Sequence, residues 1–553
     1  MCAIFGILDA PEGTLGLKQL ALEQSRRQRH RGPDWRGVFA DDRTVLVHER
    51  LAVVAPENGA QPLVNGNLVL AVNGEIYNHR ELRERFPSFP FVSESDCEVL
   101  FPLYREYGVD LVSHLNGIFA FVLYDRESRR YLIGRDPVGV VPLYYARAAS
   151  GALYVASEVK SLTGLDAFVE EFPPGSLLDG ATGVITAREP REWREYGNIE
   201  GGKVGIHDIR RGLTSAVERQ LMSDVEWGVL LSGGVDSSII AKTAARAIRK
   251  IDPDARLRSF AIGLDESPDL EAARCVAEAI GSEHRQFTFS VEEGLDALSD
   301  VIYHIESYDV TTVRASVPMY LLARRIRSAG VRMVLSGEGS DEIFGGYLYF
   351  HRAPDARAFH EETVRKLELL HTYDCQRANK SMAAWGVEVR VPFLDREFID
   401  LAMSMDPEKK MARDGKIEKH VLRSAFEGDL PPEILWRQKE QFSDGVGYRW
   451  IDALKNFARE EISDAALASA ASRFPLNPPV TAEGYLYRCM FERHFPGDAF
   501  ARLVPGGPSI ACSTPAAIAW DSAFAASADP SGRAVAVHRR PTIDLLSTGP
   551  AGS

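Results

Sequence analysis

The segment GVLLSGGVDSSII at residues 228–240 constrains the fold more than any other part of the chain. In it, an apolar run of strand length is followed by Ser-Gly-Gly and then by a helical pattern. Glycines allow backbone amides to surround a phosphate, while serine hydroxyls and a helix N-terminus add donors and a positive dipole. The segment therefore predicts a phosphate-binding loop between a buried strand and a helix.

This loop matches neither of two common nucleotide-binding patterns. It lacks the Gly-Lys-Ser/Thr ending of a Walker A loop, and it is not the G-x-G-x-x-G of dinucleotide-binding proteins. Ser-Gly-Gly-x-Asp-Ser is typical of enzymes that cleave ATP to AMP and pyrophosphate. A structural turn is the alternative interpretation, but strand, loop and helix occur in the order that a ligand loop requires. The predicted phosphate-binding residues of the loop are Ser232, Gly233, Gly234 and Ser237.

Two further apolar strands end in loops suited to ligands. SFAIGL (259–264) and RMVLSG (332–337) alternate with helical segments at 238–250 and 315–330, which indicates a parallel α/β sheet. Ligands of such sheets bind at the carboxyl ends of the strands. The predicted pocket residues at these ends are Ile262, Ser336, Gly337, Glu338, Asp341 and Glu342.

Charged side chains near these loops suit magnesium and phosphate chemistry. Asp236 and Asp341 are candidate Mg²⁺ ligands, because Mg²⁺ prefers carboxylate and phosphate oxygens. Glu338 is a candidate base that activates ammonia. Lys439 and Arg314 are candidate cations beside a departing pyrophosphate, and a structural ion pair is the alternative for each.

The first 190 residues follow a different pattern, with short apolar or alternating runs separated by Gly, Pro and Asp. Helices are expected there mainly at 15–29 and 96–107. This pattern predicts two packed sheets with few flanking helices. A polar, turn-rich segment at 187–203 separates this part from a helix-rich remainder. The predicted division is a domain at 1–190, a linker at 191–204, a second domain at 205–520 and a partly irregular tail at 521–553.

Cys2 follows only the initiator Met1. Removal of Met1 would give Cys2 a free α-amine, whose pKa of about 7.7–8.0 lets it act as a base near neutral pH. Cys2 would then carry nucleophile and general base together and need no histidine. An incidental cysteine is the alternative, so the hypothesis depends on support from other segments.

Three other segments support a site around Cys2. AVNGEIYNH (71–79) is an apolar strand that runs into Asn73 and Gly74, whose amide and backbone N–H suit an oxyanion hole. Arg50 offers a bidentate fork for the α-carboxylate of an amino acid, and Asp96 offers a carboxylate for its ammonium group. Each feature alone is more often a surface turn or a salt bridge. Together they fit a site that hydrolyses the side-chain amide of free glutamine.

Composition excludes several classes of partner. A formal net charge of −14 argues against a nucleic-acid backbone or an anionic membrane surface. Six cysteines without a C-x-x-C pair disfavour a disulfide framework or a zinc ribbon. The start MCAIFGILDA reads as a strand, not a signal peptide, and we find no apolar run of about 20 residues. We therefore expect a cytoplasmic protein without a nucleic-acid or membrane partner.

Four motifs occur in a characteristic order: Cys2, N-G-E at 73–75, S-G-G-V-D-S-S at 232–238 and S-G-E-G-S-D-E at 336–342. With them the sequence resembles the bacterial B-type family of glutamine-hydrolysing asparagine synthetases. The resemblance covers roughly residues 1–538 and includes RHRGPDW, FGGYLYFH, WGVE-x-RVPFLD and RQKEQFSDGVG. It implies an N-terminal-nucleophile glutaminase domain, an α-β-β-α sandwich, followed by a PP-loop ATP pyrophosphatase-type parallel α/β domain.

The resemblance also implies an activity. ATP and Mg²⁺ would activate aspartate as β-aspartyl-AMP, and ammonia from glutamine would reach it through an internal tunnel in each subunit of a homodimer. The implied catalytic residues are Cys2, Asn73, Gly74 and Glu338. The implied glutamine-binding residues are Arg50, Leu51, Asn73, Gly74, Glu75 and Asp96. The implied ATP-binding residues are Leu231, Ser232, Gly233, Gly234, Asp236, Ser237, Ile262, Ser336, Gly337 and Lys439, with Asp236 and Asp341 at the metal.

Three alternative functions remain to be weighed. A relative could amidate another carboxylate or close a lactam ring, although lactam-forming relatives typically lack a cysteine at position two. A catalytically inactive relative with a regulatory role disagrees with intact Cys2, Asp236, Glu338 and Asp341. A glutaminase joined to a sugar isomerase disagrees with S-G-G-V-D-S, which indicates ATP chemistry.

Overall fold

The structure is a computed structural model that describes residues 1–11, 14–187, 191–439, 445–447, 449–507, 514–522 and 524. Most of the predicted tail at 521–553 therefore lies outside the described residues. The strands are β1 (Ala3–Leu8), β2 (Trp35–Ala40), β3 (Val45–Arg50), β4 (Leu63–Asn65), β5 (Leu68–Ile76), β6 (Gly117–Asp125), β7 (Arg130–Arg135), β8 (Tyr144–Ala148), β9 (Leu153–Ala156), β10 (Ala167–Glu171), β11 (Ser176–Asp179), β12 (Val184–Ala187), β13 (Trp227–Leu230), β14 (Arg258–Gly263), β15 (Glu283–Thr288), β16 (Met333–Leu335) and β17 (Glu388–Arg390).

The helices of the described residues fall mainly in the second half of the chain. They are α1 (Leu17–Arg26), α2 (His79–Arg85), α3 (Leu100–Tyr107), α4 (Ile206–Gln220), α5 (Val235–Ile251), α6 (Pro268–Ile280), α7 (Val291–Asp296), α8 (Leu298–Ile305), α9 (Val310–Ser328), α10 (Ser340–Phe344), α11 (Ala356–Leu369), α12 (Asp374–Ala383), α13 (Arg396–Met403), α14 (His420–Ala425), α15 (Pro432–Leu435), α16 (Arg449–Glu461), α17 (Asp464–Ala468), α18 (Ala470–Arg473), α19 (Ala482–His494), α20 (Asp498–Ala501) and α21 (Pro515–Trp520).

Two antiparallel sheets form the N-terminal half. Their strand orders are β10-β8-β9-β1-β3-β2 and β12-β11-β7-β6-β5-β4. Along β5, Val69 and Ala71 belong to the core cluster shared with the first sheet, while Leu70 and Val72 pack in a second cluster that includes Leu100 and neighbouring residues of α3. Because side chains alternate between the faces of a strand, β5 is buried on both faces. Helix α1 contacts β1 and β3 on the outer side, so the layers follow the predicted α-β-β-α order.

The C-terminal half is built on a parallel sheet of order β15-β14-β13-β16-β17. Helix α4 shows why its sequence is helical, since Ile209, Leu213, Ala216 and Val217 recur at helical spacing and are all buried. The predicted strands at 228–231, 259–264 and 332–337 correspond to β13, β14 and β16. The alternation of strands with helices was therefore predicted correctly.

Helix α5 begins at Val235, three residues before the predicted start at 238. The difference matters because it places Asp236 and Ser237 in the first helical turn, where their polar groups face the N-terminal dipole. Among the described residues, no helix is both long and apolar enough to cross a membrane.

The two halves share one core. A single cluster of buried apolar side chains includes Ile4 and Val47 from the first sheet together with Val229 and Val334 from the parallel sheet. The two halves therefore pack directly against each other, and side chains of one half reach the site of the other.

Candidate active sites

A pocket lies at the carboxyl edge of the parallel sheet, where loops follow β13, β14 and β16. Most of the predicted nucleotide-site residues line it, together with Thr311, Thr312, Asp374 and Arg377 among others. The predicted residues in its wall are Leu231, Ser232, Gly234, Asp236, Ser237, Ile262, Ser336, Gly337, Glu338, Asp341, Glu342 and Lys439. One pocket therefore collects segments more than 200 residues apart, as expected at such a sheet edge.

The loop after β13 is held by its own serines. Ser237 Oγ accepts from the N–H of Ser232 at 3.2 Å, and Ser238 Oγ donates to the carbonyl of Gly234 at 2.8 Å. Gly233, with a φ of +73°, packs against α6, where an added Cβ would lie 2.4 Å from Cβ of Ala272. The loop is therefore packed tightly against the fold, and Val235, Asp236 and Ser237 at the start of α5 line the pocket.

The predicted magnesium ligands lie side by side and share a lysine. Lys419 Nζ is 2.6 Å from Oδ2 of Asp236 and 2.5 Å from Oδ1 of Asp341. Lys439 Nζ is 2.5 Å from the other oxygen of Asp341. The two lysines hold the pKa of Asp341 well below its usual range, against the opposing effect of burial. Lys439 thus lies in the wall of the pocket beside Asp341, and Lys419 is an addition that no motif indicated.

The same acidic side chains suit a magnesium nucleotide. Two carboxylates at the mouth of a phosphate loop are hard oxygen donors, and Mg²⁺ usually takes one or two carboxylates plus phosphate oxygens and water. Within the described part of the chain, no group of three or more His, Cys, Asp or Glu side chains forms a metal cage. Asp236 and Asp341 therefore fit a metal that arrives with the nucleotide better than a resident ion.

Glu338 faces the pocket in an ion pair. Arg377 Nη2 donates to Oε2 of Glu338 at 2.7 Å, and Arg377 also pairs with Asp374. Burial raises the pKa of Glu338, while Arg377 opposes the rise. Nearby, burial and neighbouring carboxylates raise the pKa of Glu342 to about 8. The pocket thus holds one carboxyl group, Glu342, whose pKa lies near neutral pH, and a second, Glu338, whose pKa is raised above its ordinary value.

Arg314, the other cation predicted to lie beside pyrophosphate, is not among the residues that line the pocket. Arg314 donates to both carboxylate oxygens of Glu483, at 2.8 Å and 2.6 Å, and both side chains are buried. The structural ion pair that was the alternative interpretation for Arg314 is therefore present.

A second site surrounds Cys2 in the N-terminal half. The residue precedes β1, whose pairing with β3 sets Ala3 opposite Glu49 and so brings Cys2 to the end of β3, next to Arg50 and Leu51. The thiol accepts from the N–H of Leu51 at 3.4 Å and donates to its carbonyl at 3.6 Å. Burial raises the pKa of the Cys2 thiol, and the neighbouring N-terminal amine opposes this. The thiol therefore needs a base to become a nucleophile.

Asn73 and Gly74 lie on β5 in the same region. Asn73 is fully buried, its Nδ2 donates to Ser157 Oγ at 3.2 Å, and its Oδ1 has no hydrogen-bond partner among the described residues. Gly74 has a φ of +136°, and an added Cβ would lie 2.0 Å from the carbonyl oxygen of Ile118. The position therefore admits only glycine, and Asn73 carries an unpaired buried oxygen, as functional sites often do.

The predicted glutamine-binding acids are buried beside the same strand. Asp96 Oδ2 accepts from the N–H of Ile76 at 2.6 Å, and burial raises the pKa of Asp96 to about 6. Burial and the neighbouring Glu388 raise the pKa of Glu75 well above its usual range. A cationic ligand would relieve both effects, because an opposite charge favours the ionised carboxylate.

Arg50 is less free than predicted. Its guanidinium donates to the carbonyls of Pro56 at 3.1 Å, Val54 at 3.2 Å and Ala55 at 2.5 Å. These bonds fix the guanidinium at the end of β3, next to Leu51. Three backbone acceptors already occupy part of the fork, so it has fewer donors to offer a carboxylate than an unbound arginine has.

The parallel sheet also contributes to the Cys2 site, which sequence reasoning missed. From β17, Glu388 Oε2 lies 3.5 Å from the α-amine of Met1, and Arg390 Nη2 lies 3.6 Å from Oε2 of Glu75. Glu388 and Arg390 are themselves bonded at 2.8 Å. Both residues occur in the WGVE-x-RVPFLD segment, which was the only signal in the sequence that could have indicated them.

Comparison with known proteins agrees with this geometry. Residues 1–191 match the glutamine amidotransferase domain family, and residues 208–358 and 352–502 match the asparagine synthase family. The chain is 54% identical to asparagine synthetase B (glutamine-hydrolysing) of Escherichia coli strain K12, over 98% of this chain and 99% of that one. It is 49% identical to asparagine synthetase (glutamine-hydrolysing) 2 of Oryza sativa subsp. japonica, over 100% of this chain and 96% of that one.

Fold and sites together define a two-part protein in which a glutamine amidotransferase domain precedes a domain of the asparagine synthase type. More specifically, the chain belongs to the family of glutamine-hydrolysing asparagine synthetases. The resemblance and the fold class drawn from the sequence are both confirmed.

Proposed function

We propose that this protein makes asparagine from aspartate, glutamine and ATP, releasing glutamate, AMP and pyrophosphate. The observation that carries the proposal is the position of β17. This strand belongs to the sheet whose edge forms the nucleotide-type pocket, yet its Glu388 and Arg390 reach the Cys2 site. The two proposed sites are thereby connected through one sheet of a single chain, which suits transfer of ammonia from one site to the other.

In the first half-reaction, Cys2 attacks the side-chain amide carbon of glutamine. The C–N bond breaks, ammonia leaves with a proton from the thiol, and water then hydrolyses the thioester to glutamate. Asn73 and Gly74 would stabilise the oxyanion with their N–H groups. Glutamine would be held by the carboxylates of Glu75 and Asp96 around its ammonium group. Arg50 and Leu51 complete the proposed glutamine-binding set.

In the second half-reaction, a carboxylate must become a better electrophile. Attack of the aspartate β-carboxylate on the α-phosphorus of ATP forms β-aspartyl-AMP and expels pyrophosphate. Ammonia then attacks the acyl carbon, loses a proton and displaces AMP. Glu338 is the proposed acceptor of that proton, since it lies in the pocket and its pKa is raised.

The nucleotide would be held by the three loops at the sheet edge. The proposed ATP-binding residues are Leu231, Ser232, Gly233, Gly234, Asp236, Ser237, Ile262, Ser336, Gly337 and Lys439. Asp236 and Asp341 would hold Mg²⁺ against the phosphates, and the ion, when bound, supplies neutralisation of the pyrophosphate charge. Lys419 and Lys439 add two further positive charges at this end of the pocket.

Several wider features belong to the same proposal. Ammonia passes internally between the sites, because in water at neutral pH most of it would be protonated and lose its lone pair. We place the two domains at 1–190 and 205–520; the family matches begin and end near these limits except at the C-terminal end, where the second match stops at residue 502. A homodimer, which the family resemblance implies, and a cytoplasmic location are part of the proposal, and sedimentation analysis and cell fractionation would test them.

The decisive experiment supplies purified protein with ATP, Mg²⁺ and glutamine across a panel of carboxylic acids. Aspartate should give asparagine and AMP in equal amounts. Asparagine with ADP in place of AMP would contradict the proposed adenylate, and amidation of another acid in preference to aspartate would contradict the proposed acceptor.

A further inference from the structure

A network of buried charges crosses the boundary between the two halves. Lys160 Nζ lies 2.6 Å from Oε2 of Glu158 and 3.0 Å from Oε1 of Glu306. Lys380 Nζ lies 2.6 Å from the other oxygen of Glu306. Glu158 and Lys160 belong to the N-terminal half, and Glu306 and Lys380 to the C-terminal half. All four side chains are at most 1% exposed.

Such a network adds little stability to an interface between two surfaces. Each buried ion loses hydration worth several kcal/mol, and well-packed apolar side chains often stabilise an interface as well or better. Buried polar networks do, however, fix a particular arrangement, because each group must find its partners. The charges therefore point to a role in positioning rather than in adhesion.

Glu306 is the centre of the network and has a strained backbone. Its φ is +56°, a conformation that costs a non-glycine residue free energy unless surrounding contacts impose it. Its carboxylate accepts from the backbone N–H of Val159 at 3.0 Å and of Lys160 at 2.7 Å. A single side chain of the C-terminal half, that of Glu306, is thus hydrogen-bonded to two consecutive backbone amides of the N-terminal half.

From that turn the network continues to Cys2. Glu158 Oε1 accepts from Nη1 of Arg31 at 2.9 Å. Arg31 in turn donates from Nε to the carbonyl oxygen of Cys2 at 3.0 Å and from Nη2 to Oδ1 of Asn379 at 2.9 Å. The backbone of the nucleophile is therefore held by a buried arginine that also contacts α12.

Helix α12 connects the network to the nucleotide-type pocket. On this helix, Asn379 donates to the carbonyl of Val140 and Lys380 to the hydroxyl of Tyr144, both in the N-terminal half. Arg377 on the same helix pairs with Glu338 at 2.7 Å. Gln376 on the same helix donates to the carbonyl of Ile305, next to Glu306, at 2.5 Å. Because Arg377 and Lys380 lie on one helix of ten residues, a displacement of that helix would move both side chains together.

We propose that Glu306 is a positioning residue that couples occupancy of the nucleotide-type pocket to the reactivity of Cys2. Ligands that contact Glu338 and Arg377 shift α12, which carries Lys380. Lys380 displaces Glu306, and Glu306 acts through Lys160 and Glu158 on Arg31. The inference rests on the proposed function, since it requires both half-reactions. Through this path, bound ATP and aspartate would accelerate glutamine hydrolysis, and what the contacts assign is the residues that carry the effect.

The test compares wild type with Glu306→Gln in the full-length protein. The measured quantity is the coupling factor, meaning kcat/KM for glutamine hydrolysis with saturating ATP-Mg²⁺ and aspartate divided by its value without them. We expect the factor to fall by about threefold or more in Glu306→Gln, in the range expected for residues on a coupling path. Asparagine synthesis from added ammonia should stay within about twofold, because the variant leaves the pocket itself intact.

Glu483→Gln is the matched control. It also neutralises a buried carboxylate in an ion pair, with Arg314, but it lies outside the network. It should lower thermal stability while keeping the wild-type coupling factor. Equal losses of the factor in both variants would mean that general destabilisation is responsible, and the inference would be wrong.

Hydrogen exchange in wild-type protein provides a test that needs no variant. Addition of ATP-Mg²⁺ and aspartate should change amide protection in α12 and in residues 156–162. Unchanged protection at 156–162 would overturn the inference, and so would a wild-type coupling factor of one. If wild type makes no asparagine at all, the proposed function itself is wrong. If Glu306→Gln makes asparagine normally and keeps the wild-type coupling factor, only the inference about Glu306 is wrong.

Discussion

The α-amine of Met1 lies 3.5 Å from Oε2 of Glu388, a residue of the parallel sheet in the other half of the chain. Met1 is fully buried, and burial lowers the pKa of its amine. A folded chain therefore does not expose Met1 to an aminopeptidase. If Cys2 is the N-terminal nucleophile, Met1 must be removed before the two halves close around it.

Intact-mass spectrometry should accordingly find Cys2 at the N-terminus of protein made in cells. Protein denatured with Met1 still attached and then refolded should hydrolyse glutamine at least about 10²-fold more slowly, because the thiol lacks its adjacent base. The same preparation should make asparagine from ammonia at the normal rate. Full glutaminase activity with Met1 retained would show that another group is the base.

Cys2→Ala separates the two half-reactions. Loss of the nucleophile should reduce glutamine-dependent synthesis by roughly 10³-fold or more. Ammonia-dependent synthesis should stay within about twofold, since the pocket at the parallel sheet is assembled from other residues. Product analysis with each nitrogen source measures both rates, and loss of the ammonia-dependent rate as well would contradict the division of labour. Cys489→Ser is a suitable control, because that half-buried free thiol lies on α19 and packs against the separate cluster of Phe474 and Tyr485.

Gly74→Ala should disrupt the glutaminase site by steric clash. The added Cβ would lie 2.0 Å from the carbonyl oxygen of Ile118, within the central pairing of β5 and β6. We expect a loss of about 2 kcal/mol or more in the free energy of unfolding, measured by denaturant titration, and loss of glutamine hydrolysis. Gly151→Ala is the control, since Gly151 also has a positive φ of +93° but meets no atom within 4 Å. Equal losses in the two variants would show that backbone strain alone explains the effect.

Features that lie within one short segment could be predicted from the sequence. The loop from Ser232 to Ser237 is such a case, because strand, turn and helix follow one another and their chemistry depends on neighbours in sequence. The edge of the parallel sheet could also be predicted, since carboxyl ends of parallel strands meet by topology. These two rules located the pocket that holds Glu338 and Asp341.

Contacts that depend on how the halves dock could not be predicted. Glu388 and Arg390 reach the Cys2 site only because β17 is an edge strand facing the N-terminal sandwich. Lys419 follows the acidic loop by some 80 residues and no spacing rule links it to Asp236. Likewise, the carbonyl partners of Arg50 come from a loop with a positive φ at Ala55, which local propensity does not indicate.

Asp96 predicts a pH dependence of both stability and affinity. Burial raises its pKa from the ordinary 3.8 to about 6, so the protonated form favours the folded state. Below about pH 4 Asp96 is protonated in the folded and unfolded states alike, so its burial does not lower the free energy of unfolding. As the pH rises through 6, the carboxyl must ionise in its buried position, and the folded state becomes less stable. Asp96→Asn should therefore be more stable than wild type at pH 7.5 by about 2–3 kcal/mol and nearly equal to it at pH 4.

The same ionisation should control glutamine binding. Only the carboxylate of Asp96 attracts the ammonium group of glutamine, so KM for glutamine should rise in wild type as the pH falls below 6. Asp96→Asn should show a high KM at every pH and a weaker rise below pH 6 than wild type, because Glu75 is then the only one of the two proposed ammonium-binding carboxyls left to titrate. Steady-state kinetics across this range measures both, and a KM for Asp96→Asn equal to that of wild type at pH 7.5 would remove Asp96 from the glutamine site.

Lys419 is the residue whose role follows most directly from charge. It lies between Asp236 and Asp341, at 2.6 Å and 2.5 Å, and is itself fully buried. Without it, two carboxylates would face each other and repel the phosphates as well as one another. Lys419→Met keeps much of the side-chain volume and removes the charge. We expect aspartate-dependent pyrophosphate release to fall by roughly 10²–10³-fold, the size typical for loss of one preorganised charge at a reacting group.

Glutamine hydrolysis measured without ATP should remain within about twofold of the wild-type rate in Lys419→Met, because Lys419, Asp236 and Asp341 lie outside the Cys2 site. Lys409→Met is the matched control, since Lys409 is an exposed lysine that binds the carbonyl of Gly202 at 2.8 Å. Excess Mg²⁺ should partly restore the rate of Lys419→Met, because a second cation can replace part of the missing charge between the carboxylates. A normal rate of pyrophosphate release in Lys419→Met would mean that Lys439 alone supplies the positive charge this end of the pocket requires.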